Sequence, residues 1–171
     1  AHCAFDKACD LMNIEIRKTE IQEVNSIIKL IDKNTILLVG SCPSFPHGLI
    51  DDIQMLDCIA KRYKIGLHID SCLGGFLVPF SKNIDFTYDN VTSISVDTHK
   101  YGYCPKGSSV VLFKNKNLRE SAYFIYPKAS IGIYATSNIT GSRPGNIIAA
   151  TWASLMYFGK DGYKKASEQI K

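Results

Sequence analysis

No stretch of this chain approaches the ~20 consecutive apolar residues that a membrane-spanning helix needs. No signal peptide precedes the first polar residues. Lysines and arginines are scattered and form no basic stripe, so a nucleic acid is not an expected partner. None of the six cysteines, Cys3, Cys9, Cys42, Cys58, Cys72 and Cys104, sits in a Cys-x-x-Cys pair. That excludes a recognisable zinc site or disulfide framework and fits reduced, cytosol-facing usage. There is also no internal repeat, low-complexity tract or linker, which leaves one domain. What remains is a globular composition: 171 residues, 46% hydrophobic, 21% charged, net charge +4. This suffices for one sizeable core. The sequence opens on Ala1 and closes on Gln169-Ile170-Lys171, inside an amphipathic pattern. The expectation is a segment of a longer protein.

Periodicity orders the chain. Residues 1–12 read as the end of a helix with Ala4, Phe5, Ala8, Leu11 and Met12 on one face. Residues 13–19 alternate apolar and charged, as a short strand does. Residues 20–31 keep a helical period through Ile21, Val24, Ile27, Ile28 and Ile31. Residues 35–39, TILLV, form a continuous apolar run of strand length, as in a parallel sheet covered on both faces. A proline-broken loop, GSCPSFPHG, leads into a crossover helix over residues 49–64, with Asp51 or Asp52 at its N-terminal end. Further strands are expected at 66–70, 91–97 and 108–113. Residues 118–140 read as aromatic and irregular, 146–158 as a helix stopped by Gly159, and a last helix starts near Gly162. Strands alternating with helices imply right-handed βαβ units. The expected fold class is α/β, a mainly parallel sheet flanked by helices.

Ligands of open α/β sheets gather at the carboxyl ends of the strands. There this chain sets Asp70 after one strand, His99 and Lys100 after another, and the loop carrying Ser41, Phe45 and His47 after a third. A lysine at a strand end is commonly a solvated surface group. In an apolar, hydroxyl-lined pocket, desolvation instead lowers its pKa and frees the amine to attack a carbonyl. Pyridoxal phosphate, held as a Schiff base, is the commonest partner of such a lysine. A carboxylate beside its pyridine nitrogen keeps the ring protonated and electron-accepting.

HIDSCLGGF (68–76), SISVDTHKYGYCPKG (93–107) and ITGSRPG (139–145), in this order and spacing, resemble the sphingosine-1-phosphate lyases. These are members of the pyridoxal-phosphate-dependent group II decarboxylase family. AHCAFDKA (1–8), GSCPSFPHGLIDDI (40–53) and YFGKDGYKKASEQI (157–170) fit as well, so the resemblance covers essentially the whole chain. It implies the large domain of a fold type I enzyme, incomplete here, with its N-terminal part and C-terminal small domain outside residues 1–171. The implied reaction is retro-aldol cleavage of a phosphorylated long-chain base to a fatty aldehyde and phosphoethanolamine.

Residue by residue, the resemblance implies that Lys100 is the Schiff-base lysine and Asp70 the partner of the pyridine nitrogen. His2 stacks on the cofactor ring, Cys72 packs on its opposite face, and His99 lies near the cofactor phosphate. Lys106 acts near the reacting centre and the substrate phosphate, and His47 faces the substrate. Ser142 reaches into the neighbouring subunit's site, which implies a homodimer with shared active sites. The catalytic base stays open among Lys100, Lys106, His47 and a phosphate oxygen. Arg143 is equally read as a cap, an ion-pair partner or a phosphate ligand, and His68 as a structural residue or one supporting the site. Ser71 departs from the Ala common in the family. The phosphate cradle is expected upstream of Ala1, so the isolated segment should bind cofactor poorly. The family also implies an endoplasmic reticulum membrane anchor outside this soluble segment, with the catalytic domain facing the cytosol. The alternatives are an amino acid decarboxylase using the same Lys100 and Asp70, and an inactive fragment retained for dimerisation.

Overall fold

The computed structural model describes residues 1–19, 23–45 and 47–170. Three short runs rich in β-branched or aliphatic side chains pair side by side, the middle one buried along nearly its whole length and its two neighbours only in part. They are β1 (Leu37–Ser41), β2 (Gly66–Asp70) and β3 (Val91–Val96). β1, β2 and β3 are parallel, and β4 (Val110–Phe113) closes the order β1-β2-β3-β4 antiparallel to β3. Register sets Ser41 beside Asp70 and Asp70 beside Ser95, so all three strands end at one edge.

Helix α1 (Ala4–Met12) lies near one face of this sheet, where the Phe5 ring meets the edge of the His68 ring at 5.7 Å. The short α2 (Val24–Leu30) contributes Ile27 to the core. Helix α3 (Ile53–Tyr63) buries Ile53, Leu56, Ile59 and Ala60 in the same core as Leu67 and Ile69 of β2. Its cap is Asp52, whose carboxylate accepts from Met55 N–H at 2.9 Å; Asp51 accepts instead from Ser41 N–H at 2.6 Å, tying the loop back to β1. Helix α5 (Gly145–Ile170) is interrupted at Gly159, whose φ of 57° breaks the helical path, as its sequence position predicts.

The sequence-based expectations fail at two elements. Residues 13–19 alternate like a strand, but among the described residues no strand pairs with them; alternation supplies a face, not a hydrogen-bonding partner. The aromatic stretch expected to be irregular instead holds α4 (Lys116–Glu120) and a hairpin of β5 (Phe124–Ala129) and β6 (Gly132–Thr136). Its apolar residues are exposed, so no buried-against-solvent alternation marks them as strands. The helix expected over residues 20–31 is seen only as α2; Ile21 of its face lies outside the described residues. None of the described helices is long and apolar enough to cross a membrane.

Candidate active site

The carboxyl edge of the sheet gathers the chemistry. Asp70 ends β2 and is only 5% exposed. Its Oδ1 accepts from the Ser95 hydroxyl at 3.0 Å and from Cys72 N–H at 3.2 Å. Ser95 lies beside Asp70 in the parallel register, and one period earlier Ser93 lies beside His68. All four side chains therefore share one face. His68 bridges the serines, with Nδ1 at 2.8 Å from Ser93 Oγ and Nε2 at 3.2 Å from Ser95 Oγ. Through Ser95, His68 is linked to Asp70.

Beyond β3 the chain folds into tight turns. Lys100 N–H donates to Asp97 O at 3.3 Å, Tyr103 N–H to Lys100 O at 3.1 Å and Cys104 N–H to Thr98 O at 3.1 Å. These turns present the half-buried Lys100 amine 2.9 Å from Asp97 Oδ2. Asp97 also accepts from Ser109 Oγ at 2.5 Å and lies 3.8 Å from His99 Nε2. His99 Nδ1 points to Ser108 O at 2.5 Å, and Thr98 Oγ1 donates to Ser108 Oγ at 2.7 Å. The start of β4 thus holds the lysine turn in place.

The two strand ends meet at Cys72, whose carbonyl accepts from Asp97 N–H at 3.3 Å and whose N–H donates to Asp70, and whose thiol feels the charges of both Lys100 and Asp70. Burial, then the Asp70 charge, pushes that thiol above its usual range, so Cys72 is a neutral packing group here. At Lys100 burial disfavours the ammonium, but the Asp97 and Cys72 contacts outweigh it, and its pKa lies above the ordinary lysine value. The desolvation-lowered lysine expected from sequence is therefore reversed, because Asp97 stands within reach. Burial likewise works against the Asp97 carboxylate, yet the Ser109, Lys100 and His99 contacts hold its pKa below the usual carboxylate value.

The remaining candidates lie farther out. His2 accepts from Ala4 N–H at 3.0 Å through Nδ1, at the start of α1, and its ring centre is 6.2 Å from that of Phe45. His47, Lys106 and Ser142 are exposed. Arg143 donates to Gly107 O at 2.8 Å and to Thr140 Oγ1 at 2.9 Å. That joins the Ser142 loop to the Lys106 loop and makes Arg143 a brace between two loops. A cavity of about 450 Å³ lies at this junction, lined by Thr98, Ser108, Ser109 and Arg143 among others. A larger, apolar cavity of about 650 Å³ lies between α1, residues 14–19 and β1. It touches neither Asp70 nor Lys100.

Sequence reasoning missed Asp97, Ser95 and Ser109. Asp97 stands three residues before Lys100, a spacing that turns its carboxylate onto the amine once the strand ends. The two serines were readable only through strand register.

The chain as a whole is similar to known proteins in sequence and in fold. Residues 1–170 match the family model described as the pyridoxal-dependent decarboxylase conserved domain. The chain is 46% identical, over 99% of its length, to 34% of a sphingosine-1-phosphate lyase of Dictyostelium discoideum. It is 48% identical, over 99% of its length, to 32% of sphingosine-1-phosphate lyase 1 of Rattus norvegicus. The chain thus spans about a third of the length of these relatives. A solved sphingosine-1-phosphate lyase of Burkholderia pseudomallei superposes with a TM-score of 0.94 at 38% identity, covering 98% of this chain and 42% of that one. With the mostly parallel sheet and flanking helices, this is the large-domain architecture of fold type I enzymes. The chain belongs to the pyridoxal-dependent decarboxylase family.

Proposed function

We propose that the protein containing these residues cleaves phosphorylated sphingoid bases to a fatty aldehyde and phosphoethanolamine. The observation that carries this reading is that Asp70 and the Lys100 turn stand at the carboxyl ends of two adjacent parallel strands, joined through the Cys72 backbone, which donates to Asp70 at 3.2 Å and accepts from Asp97 N–H at 3.3 Å. Relatives named for sphingosine-1-phosphate cleavage supply the substrate class.

Pyridoxal phosphate is the cofactor of the family, and the residues present fit it. Lys100 is a half-buried amine able to bond the cofactor's carbonyl carbon. Asp70 is a buried carboxylate already oriented through Oδ1 by two donors, which suits it to face a cationic ring nitrogen. Bound there, the cofactor supplies an electron-accepting ring for the electrons of the broken Cα–Cβ bond. Cys72 packs between the two anchors, and His99 stands beside Lys100, where a phosphate would be met. His2, near Phe45, supports a ring-stacking role at the open side. Lys106, His47 and Ser142 are assigned by resemblance, as groups that approach the substrate from exposed loops. Lys100 itself, Lys106, His47 and a phosphate oxygen are the candidates for moving the hydroxyl proton.

Ser142, exposed and tied through its neighbour to the Lys106 loop, supports a homodimer with shared sites. The uncovered apolar residues of the hairpin and α5, among them Ile133 at 76% and Trp152 at 65% exposure, support a second copy as the covering partner. Residues 1–171 are read as part of one large cofactor-binding domain. An endoplasmic reticulum anchor, elsewhere in the protein, completes the reading. Full-length protein given sphingosine 1-phosphate should release aldehyde, and Lys100→Ala should abolish both product and the cofactor's lysine-linked absorption band. Carbon dioxide release from an amino acid would establish the decarboxylase alternative, and a surviving band would overturn the role of Lys100.

A further inference from the structure

We propose that Asp97 is the counterion that holds the Lys100 amine whenever it is not bonded to the cofactor, a positioning residue that governs when this amine is free to attack. The inference rests on Lys100 being the cofactor lysine. Its basis is geometric. Asp97 Oδ2 is 2.9 Å from Lys100 Nζ, and both side chains are largely withdrawn from water, at 16% and 27% exposure. The carboxylate is not a passing surface group: Ser109 fixes Oδ1 from the start of β4 at 2.5 Å, and His99 Nε2 lies on the Oδ2 side at 3.8 Å. From the end of β2, Cys72 is the other group that acts on this amine, and it carries no positive charge to displace it. The ammonium therefore has a fixed, negatively charged seat in a partly desolvated corner, where an ion pair is screened less than at an open surface.

The chemistry follows. To bond the cofactor, the Lys100 ammonium must first give one proton to solvent and leave Asp97. The neutral amine then attacks the aldehyde carbon, a carbon–nitrogen double bond forms, and the carbonyl oxygen departs as water with the two remaining amine hydrogens. No oxidant or reductant is needed. When a substrate amine later takes the lysine's place, Lys100 is released, regains a proton and returns to Asp97. Asp97 thus slows cofactor capture at neutral pH while giving the released lysine one defined resting position.

The test is stopped-flow capture of pyridoxal phosphate by full-length apoprotein, followed by the absorption of the lysine-linked cofactor across pH 6–10. Asp97→Asn should move the pH midpoint of the capture rate downward and raise the rate at neutral pH about two- to tenfold, the range for an ion pair of this exposure. Asp97→Glu should restore the wild-type profile. A merely structural role would slow capture at every pH and leave the midpoint in place, and that result overturns the proposal, as does an unshifted profile in a well-folded Asp97→Asn protein. Lys100→Ala serves as the separate control: loss of the band in that variant upholds the lysine assignment even where the Asp97 result is negative, and survival of the band overturns the assignment itself.

Discussion

The Nε2 atom of His68 lies 3.2 Å from the Ser95 hydroxyl oxygen, and this contact fixes the tautomer of a buried histidine. Ser95 has one proton, and it goes to Asp70 Oδ1 at 3.0 Å. Toward His68 the hydroxyl can therefore only accept, so Nε2 carries the hydrogen. Nδ1 is then bare and accepts from Ser93 at 2.8 Å. The chain of donors runs in one direction, from histidine through Ser95 to carboxylate. Burial disfavours the imidazolium, so the neutral tautomer of His68 completes this chain.

A neutral, buried histidine makes stability depend on pH. Burial pushes the His68 pKa below its usual 6.5, and the Asp70 charge opposes this only in part. Below about 6.5 the unfolded chain takes up a proton that the folded chain refuses. The His68 contribution is thus fully present above that pH and is lost as pH falls toward the folded pKa. In urea titrations of full-length protein, the unfolding midpoint should fall between pH 7.5 and 5.5, and His68→Gln should remove part of that slope. Equal slopes in the two proteins would count against a neutral His68.

The Gly74-Gly75 pair is a close-packed joint between three elements. A Cβ on Gly74 would overlap the Cys42 carbonyl oxygen and come within 2.8 Å of Pro43 Cδ; one on Gly75 would overlap Val96 at the end of β3. Backbone cannot yield as a flexible side chain does. Gly74→Ala should therefore cost about 2–3 kcal/mol by thermal or urea unfolding. Gly145→Ala is the control: nothing lies within 4 Å of its Cβ, and its effect should stay within about 0.5 kcal/mol. A Gly74→Ala protein as stable as wild type would show that the joint has slack.

Much of this was legible before the fold was known. Strand β2 has the expected limits of Gly66 and Asp70, β3 ends one residue early at Val96, and Gly159 interrupts the last helix as its position implies. Asp70 and Lys100 converge because parallel strands share one carboxyl edge, a property that topology dictates from the alternation of elements. What stayed hidden depends on register and on contacts distant in sequence. Ser95 meets Asp70 only because β2 and β3 pair as they do. Residues 13–19 show that a period of two does not supply a partner. The Asp97–Lys100 pair depends on how the chain turns after β3, and it reverses the direction expected for the lysine's pKa.

The clearest of these distant contacts joins α5 to the lysine turn. Tyr163 is buried, its ring stacks on Phe158 at 5.1 Å, and its hydroxyl donates to Gly102 O at 2.8 Å. Burial pushes its pKa up to about 12, so it stays a donor throughout the working range. Gly102 has little room of its own, because its Cα packs toward Phe76 and the Thr98 carbonyl, and it also accepts from the Cys104 thiol at 3.2 Å. Tyr163→Phe keeps the stacking and removes only the hydroxyl. Because the thiol still partners the carbonyl, the cost should be about 1 kcal/mol rather than that of an orphaned buried group. Two residues from Lys100, the same loss should appear as local opening, with amide exchange at Tyr103 and Cys104 accelerating about fivefold and exchange in β1 unchanged. Equal acceleration in both places would mean that Tyr163 supports the whole domain, and no acceleration at Tyr103 would mean that α5 does not hold the turn that presents the lysine.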